Sequence, residues 1–261
     1  MKRTLALILA AVIVAAFASF LCAAKEPVVY VTIANGELVL AREAVTLTDA
    51  DNDGALTIND ALYLAHEAKF EGGAAAGYGS AKGDYGLSLT KLWGVENGGS
   101  YGYFVNDNSA MSLADPLSDG DEVVAFIYTT ADWSDAYSFF DVKSGKSGAE
   151  LTFYVCSYDA NWALVKTPTA GAEITVDGVK TGVKTDANGK AKVELEESGE
   201  HIISAVLEGA VIVPPVSSLK KSATPATGDS GVIVLAVIGI LNALNGRAKE
   251  LPLIGGINIL G

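Results

Sequence analysis

The sequence predicts a mainly β protein with one principal helix, built as an α+β head followed by a small all-β sandwich. Three observations predict this class. Short runs of apolar and β-branched residues recur along most of the chain, separated by Asn-Gly and Asp-Gly turn signals. One stretch alone places apolar residues at helical spacing, with Ile58, Ala61, Leu62, Ala65 and Ala68 in register. The chain has 261 residues, 50% of them hydrophobic, enough for one large core or two small ones.

Charge and composition narrow the function. Lys and Arg total 18 against 31 Asp and Glu, a net charge of −13 that argues against nucleic acid or an anionic headgroup as the main partner. Two Cys and two His leave little for a zinc cluster, a Cys/His nucleophile pair or a disulfide framework, which disfavours most enzyme classes.

At the start, Lys2 and Arg3 precede an apolar stretch at residues 4–21, and Cys22-Ala23-Ala24 supplies small residues. Residues 1–24 therefore read as an export signal cut near Ala24. An uncleaved anchor is the alternative, since the stretch is long enough to span a membrane. Leu21 is too large for lipoprotein cleavage before Cys22. Loss of Lys2 and Arg3 leaves 16 basic residues against 31 acidic, or −15. Cys156, within the alternating run at residues 151–156, reads as a small buried hydrophobe.

The head opens with strands at residues 28–33 and 37–40 around Asn35-Gly36, a pair suited to a tight hairpin. Residues 49–60 follow, Asp-Ala-Asp-Asn-Asp-Gly-Ala-Leu-Thr-Ile-Asn-Asp. Asp49, Asp51, Asp53 and Asp60 occupy positions one, three, five and twelve of a calcium loop, Gly54 permits the sharp turn at six, and Ala55 offers its carbonyl at seven. Calcium is the expected ion, in a structural role, and a solvated acidic turn is the alternative. Asp60 stands where an EF-hand sensor has Glu, and residues 43–48 read as a strand end instead of an entering helix. The loop thus resembles a dockerin half-loop more than a sensor. The helix leaving it is expected to place His66 on its solvated side. The Gly/Ala run at residues 72–79 lacks the Lys-Ser/Thr of a phosphate loop and is read as a loop.

Asp60-Ala61-Leu62 at a helix start, Tyr101-Gly102-Tyr103-Phe104-Val105-Asn106 and Leu117-Ser118-Asp119-Gly120-Asp121-Glu122-Val123 together carry a resemblance. They resemble the transcobalamin C-terminal-like domain of secreted bacterial proteins, over roughly residues 27–140. The resemblance implies a β-grasp-like head at residues 25–143, with the calcium loop where that family has a plain turn, and a corrinoid, soluble-ligand or polymer-contacting role. Tyr78, Tyr85, Trp93, Tyr101, Tyr103, Trp133 and Tyr137 are candidates for a stacking platform, with core packing as the alternative.

Residues 144–148 read as a linker and 149–216 as a sandwich, with strands at 150–157, 172–176, 189–195 and 200–207. The runs at 171–178 and 185–191 resemble prealbumin-like or Ig-like repeats of bacterial surface proteins, which implies a stalk. His201 has no partner that sequence assigns. A Ser/Thr/Pro-rich linker at 217–230 contains Thr224-Pro225-Ala226-Thr227-Gly228-Asp229, ahead of a hydrophobic tail at 231–261 bearing Arg247 and Lys249. This resembles a sortase sorting signal with Thr227-Gly228 as the cleaved bond. Thr224 replaces the usual Leu, the apolar run is shorter than the ~20 residues of a spanning helix, and chain continues past the basic residues.

These readings converge on an exported, non-enzymatic binding or adhesion protein at the surface or wall of a Gram-positive-type bacterium. Its expected partners are a glycan, protein or small molecule, with sortase as processing enzyme, the tail at the membrane and no nucleic acid. A corrinoid- or small-ligand-binding protein serving uptake is the alternative. Acidic pairs such as Asp119 and Asp121 invite a hydrolase reading, but these two fall on a turn with no opposing acid and base.

Overall fold

The computed structural model describes residues 25–223 apart from 85, 97 and 99. The expected export signal, Tyr85, the sorting motif with Thr227 and Gly228, and the tail at 231–261 lie outside the described residues. The chain divides into two units, Met1–Leu195 with Glu200–Lys220, and Glu196–Gly199 with Lys221–Gly261. Within the second, Lys221 Nζ donates to the Glu196 carbonyl at 2.8 Å. The layers described next belong to the first.

Strands β1 (Val28–Asn35) and β2 (Glu37–Thr46) form the expected hairpin, closed by Gly36 at φ +73°. After the acidic loop come helix α1 (Ile58–Lys69) and a short α2 (Gly73–Gly77). Strands β3 (Gly79–Gly83) and β4 (Gly86–Lys91) pair as a separate hairpin. β5 (Tyr101–Val105), β6 (Asn108–Ser109) and β7 (Glu122–Ile127) return to the main sheet. Its order is β2-β1-β7-β5-β6, with β7 parallel to β1 and antiparallel to β5. A central parallel pair with hairpin neighbours and one helix across a face is the β-grasp-like arrangement.

Side-chain alternation gives this sheet two buried faces. Val29, Val31, Ile33, Val123, Ala125 and Ile127 point toward α1 and meet Ile58, Ala61, Leu62 and Ala65. Ala34, Phe104, Val124 and Phe126 point the other way and meet Tyr137, Phe139, Cys156 and Val213 of the sandwich. Burial on both faces explains why β7 reads as a continuous apolar run.

The sandwich contains β8 (Ser138–Phe140), β9 (Ser144–Lys146), β10 (Ala149–Tyr158), β11 (Leu164–Pro168), β12 (Glu173–Val176), β13 (Val179–Lys184), β14 (Lys190–Val193), β15 (Gly199–Val206) and β16 (Ser217–Lys221). One sheet runs β11-β10-β14 with β8 also on β10, and the other runs β13-β12-β15-β16-β9. Phe140, Leu151, Phe153, Ile174, Ile203 and Leu219 fill the space between.

Three expectations change. Residues 144–148 are no linker, because β9 pairs in parallel with β16, Ser144 opposite Ser218. The linker at 217–230 begins as strand, since Leu219 is a wholly buried member of the sandwich core. The run at 72–79 is not a plain loop either. Its alanines make the turn of α2, the Ala74 amide donates to Glu67 Oε2 at 2.9 Å, and Gly77 lies so close under Phe70 that a Cβ there would come within 2.5 Å of the ring.

Candidate functional site

The acidic loop is shaped by its own backbone. The amides of Asp53 and Gly54 donate to the two Asp49 oxygens at 3.1 and 2.9 Å, the Asp53 amide also lies 3.2 Å from Asp51 Oδ1, and the Ala55 amide donates to Asp53 Oδ1 at 2.8 Å. Asn52 and Gly54 make this possible by adopting φ +61° and +91°. As a result Asp49, Asp51 and Asp53 each bring a carboxylate oxygen within 4.8 Å of the others.

Asp60 has a different task. It is fully buried and forms the capping box of α1: its Oδ2 accepts from the Thr57 amide at 2.9 Å and the Thr57 hydroxyl at 2.8 Å, and its Oδ1 accepts from the Ala50 amide at 2.8 Å. The cluster of three therefore forms without it. Ala55 is exposed beside the cluster.

Do these residues suit a cation? Three close carboxylates repel one another in the absence of positive charge. Each oxygen that accepts one amide proton retains a lone pair. An all-oxygen set of hard donors on a turn with a left-handed glycine fits calcium by type.

The loop is tied to the helix beneath it. Asn59 Nδ2 donates to Asp51 Oδ2 at 2.9 Å, while Asn59 Oδ1 accepts from the Tyr78 hydroxyl at 2.7 Å and from Ser80 Oγ at 2.9 Å. Tyr78 leads to an aromatic group in which His66 lies 5.2 Å from Tyr78 and 5.1 Å from Trp93, centroid to centroid. Burial pushes the Tyr78 phenol above its usual range.

His66 is wholly buried, against the expectation of a solvated position. It follows Leu62 by four residues and Ile58 by eight, so it shares their stripe, whereas Ala68 turns outward. The Leu62 carbonyl 2.7 Å from Nδ1 can only accept, and the Trp93 amide 3.0 Å from Nε2 can only donate. That fixes the neutral ring with its proton on Nδ1. Burial lowers its pKa, opposed by the Leu62 carbonyl. With Nε2 engaged, His66 offers no ring nitrogen to a corrinoid cobalt.

The other candidates separate. Asp119 Oδ1 accepts from the Val28 amide at 2.7 Å, and Asp121 accepts from the Ser118 amide at 2.7 Å and Asn106 Nδ2 at 2.8 Å, so both brace the turn before β7. His201 Nδ1 meets Asp177 Oδ2 at 2.7 Å, a cross-strand pairing that sequence did not assign. Cys156 is buried, and burial pushes its thiol up to about 11. The stacking platform does not form as one surface. Tyr78 and Trp93 pack around His66, Tyr101 and Tyr103 pack on the helix side of the sheet, Tyr137 is buried at the sandwich, and Trp133 is exposed.

No family model matches the chain, and no curated protein matches it. Among solved structures, the D0-D1 domain of Intimin matches at 15% identity over 56% of this chain and 80% of that one, with a TM-score of 0.24. A TM-score of that size does not establish a shared overall fold, and no function is carried across. Among the described residues, no helix is long and apolar enough to cross a membrane.

Proposed function

We propose that this chain is an exported, non-enzymatic binding protein displayed at a bacterial cell surface, with a calcium-stabilised head on an Ig-like sandwich. The observation that carries the reading is the way the two layers are joined. Phe104 of the head stacks on Tyr137 with centroids 3.7 Å apart, and Phe126 lies 6.4 Å from the same ring, so the head is packed against the sandwich through an aromatic layer. The Asp49, Asp51 and Asp53 cluster is tied through Asn59 to α1, which packs on the sheet face opposite the one that meets the sandwich. The transcobalamin-like motifs and the sorting-type motif at 224–229 support export and wall attachment.

Fractionation of the native cells tests display. If a sortase cysteine attacks the Thr227 carbonyl, the Thr227-Gly228 bond breaks and the chain is joined through Thr227 to a wall amine. Mass spectrometry of wall digests is expected to find that terminus. Intact chains ending at Gly261, confined to the membrane or the cytoplasm, would overturn the reading.

A further inference from the structure

A cleft of about 290 Å³ opens where the head meets the sandwich, lined by Tyr128, Trp133, Asp135 and Tyr158 among others. Trp162 lies outside this lining but next to it, 6.4 Å from Tyr158 between ring centroids. Trp133 is 65% exposed, Trp162 83% and Tyr158 49%, which is unusual for rings of this size.

The two tryptophans are presented by the same device. Trp133 closes a turn by donating its amide to the Thr130 carbonyl at 3.2 Å, and Trp162 does so to the Asp159 carbonyl at 3.0 Å. Both have left-handed backbones, φ +58° and +62°, which a bulky residue rarely adopts. An aspartate stiffens each turn. Asp135 accepts from the amides and hydroxyls of Thr129 and Thr130 at 2.5 to 3.1 Å, and Asp159 Oδ1 accepts from the Asn161 and Ala163 amides at 2.8 and 2.9 Å. Strain kept on an exposed side chain points to use of that side chain.

We infer that this cleft binds a quaternary or alkyl ammonium group at the wall formed by Trp133 and Tyr158, with the exposed Trp162 ring beside Tyr158 available to cover it. The rings offer their negative faces to a cation. The carboxylate of Asp135 on the cleft wall, and that of Asp159 in the turn that carries Trp162, add negative potential, and none of the described residues that line the cleft is basic. A neutral sugar would need free directional partners, but both carboxylates already spend acceptor positions on their own turns. They supply charge more than geometry, which suits a cation without fixed hydrogen-bond directions. The inference stands apart from the calcium loop and from surface display, because it concerns the purified protein alone.

Calorimetric titration of the full chain tests it, using tetramethylammonium chloride, its uncharged analogue 3,3-dimethyl-1-butanol, and sodium chloride as the ionic-strength control. Saturable tetramethylammonium binding is expected, at least tenfold tighter than the alcohol. Trp133→Ala and Trp162→Ala, each of an exposed side chain, are expected to weaken it at least tenfold at an unchanged thermal midpoint, while Trp133→Phe retains most of it. Flotation with phosphatidylcholine vesicles, competed by tetramethylammonium, would place the group on a lipid head, and tetramethylammonium binding without flotation would place it on a free solute. Equal binding of the alcohol, binding indifferent to both alanine variants, or no saturable heat would overturn the inference.

Discussion

At Asn52, one residue separates a useful control from a misleading one. Its φ of +61° means that alanine there adds backbone strain unrelated to metal binding, whereas glycine does not. The comparison for the loop is therefore Asp53→Ala against Asn52→Gly. Calcium binding only the folded loop stabilises by RT ln(1 + [Ca]/Kd), about 1 kcal/mol at millimolar calcium for a weak extracellular-type site. Thermal unfolding in calcium and in chelator is expected to show that gain in the unmutated chain and in Asn52→Gly, and to lose it in Asp53→Ala. Equal midpoints for the unmutated chain would leave only an acidic turn. His66 gives a second measurable effect. Its folded pKa is depressed, so the unfolded chain binds the extra proton first as pH falls below the ordinary value of 6.5. Stability is full above that pH and declines below it, by at most about 1.4 kcal/mol per unit. Denaturant titrations between pH 7.5 and 5 should show a decline that His66→Gln flattens.

Individual elements differed in how plainly the sequence announced them. Helix α1 was legible because Ile58, Ala61, Leu62 and Ala65 fall on one stripe and all are fully buried. The acidic loop was legible as spacing, but the diversion of Asp60 to the capping box was not, since position twelve of a calcium loop and the third residue of a capped helix coincide here. β13 was missed because all six of its residues are exposed, which removes the alternation that marks a half-buried strand. β9 and β16 were hidden in Ser/Gly/Lys segments whose pairing is distant in sequence. The aromatic layer depends on tertiary contact, and no local pattern encodes it. Two substitutions test the elements. Thr57→Ala removes the cap hydroxyl and should lower stability by about 1 kcal/mol in chemical denaturation. Gly102→Ala on β5 would put a Cβ 2.2 Å from the buried Phe126 ring, an overpacking expected to lower stability by roughly 1–3 kcal/mol or more; an unchanged midpoint would mean that the β5–β7 contact yields freely.

Across the whole molecule, the junction of head and sandwich decides whether the two unfold together. Phe104 and Phe126 on the head face Tyr137 and Phe139, and Lys143 Nζ reaches Asp107 at 2.7 Å, where the Tyr137 hydroxyl also donates at 2.9 Å. Separating the layers would expose both phenylalanines and strip Asp107 of these partners. A head cut at residue 143 keeps β8 but loses β10, to which β8 is paired. Such a fragment should therefore melt well below the full chain and bind a hydrophobic dye. The full chain is expected to unfold its head and sandwich in one calorimetric transition, with near-ultraviolet and far-ultraviolet signals coincident. Phe104→Ala removes the ring that stacks at 3.7 Å on Tyr137 and leaves a cavity between the layers. Its expected cost is about 3–5 kcal/mol, the usual range for a buried phenylalanine. The shape of the transition carries the more telling result. If the junction couples the layers, Phe104→Ala either lowers a single midpoint or splits it in two, with the head melting first. Two separate transitions already present in the unmutated chain, neither of them moved by Phe104→Ala, would show that the aromatic layer is contact without coupling.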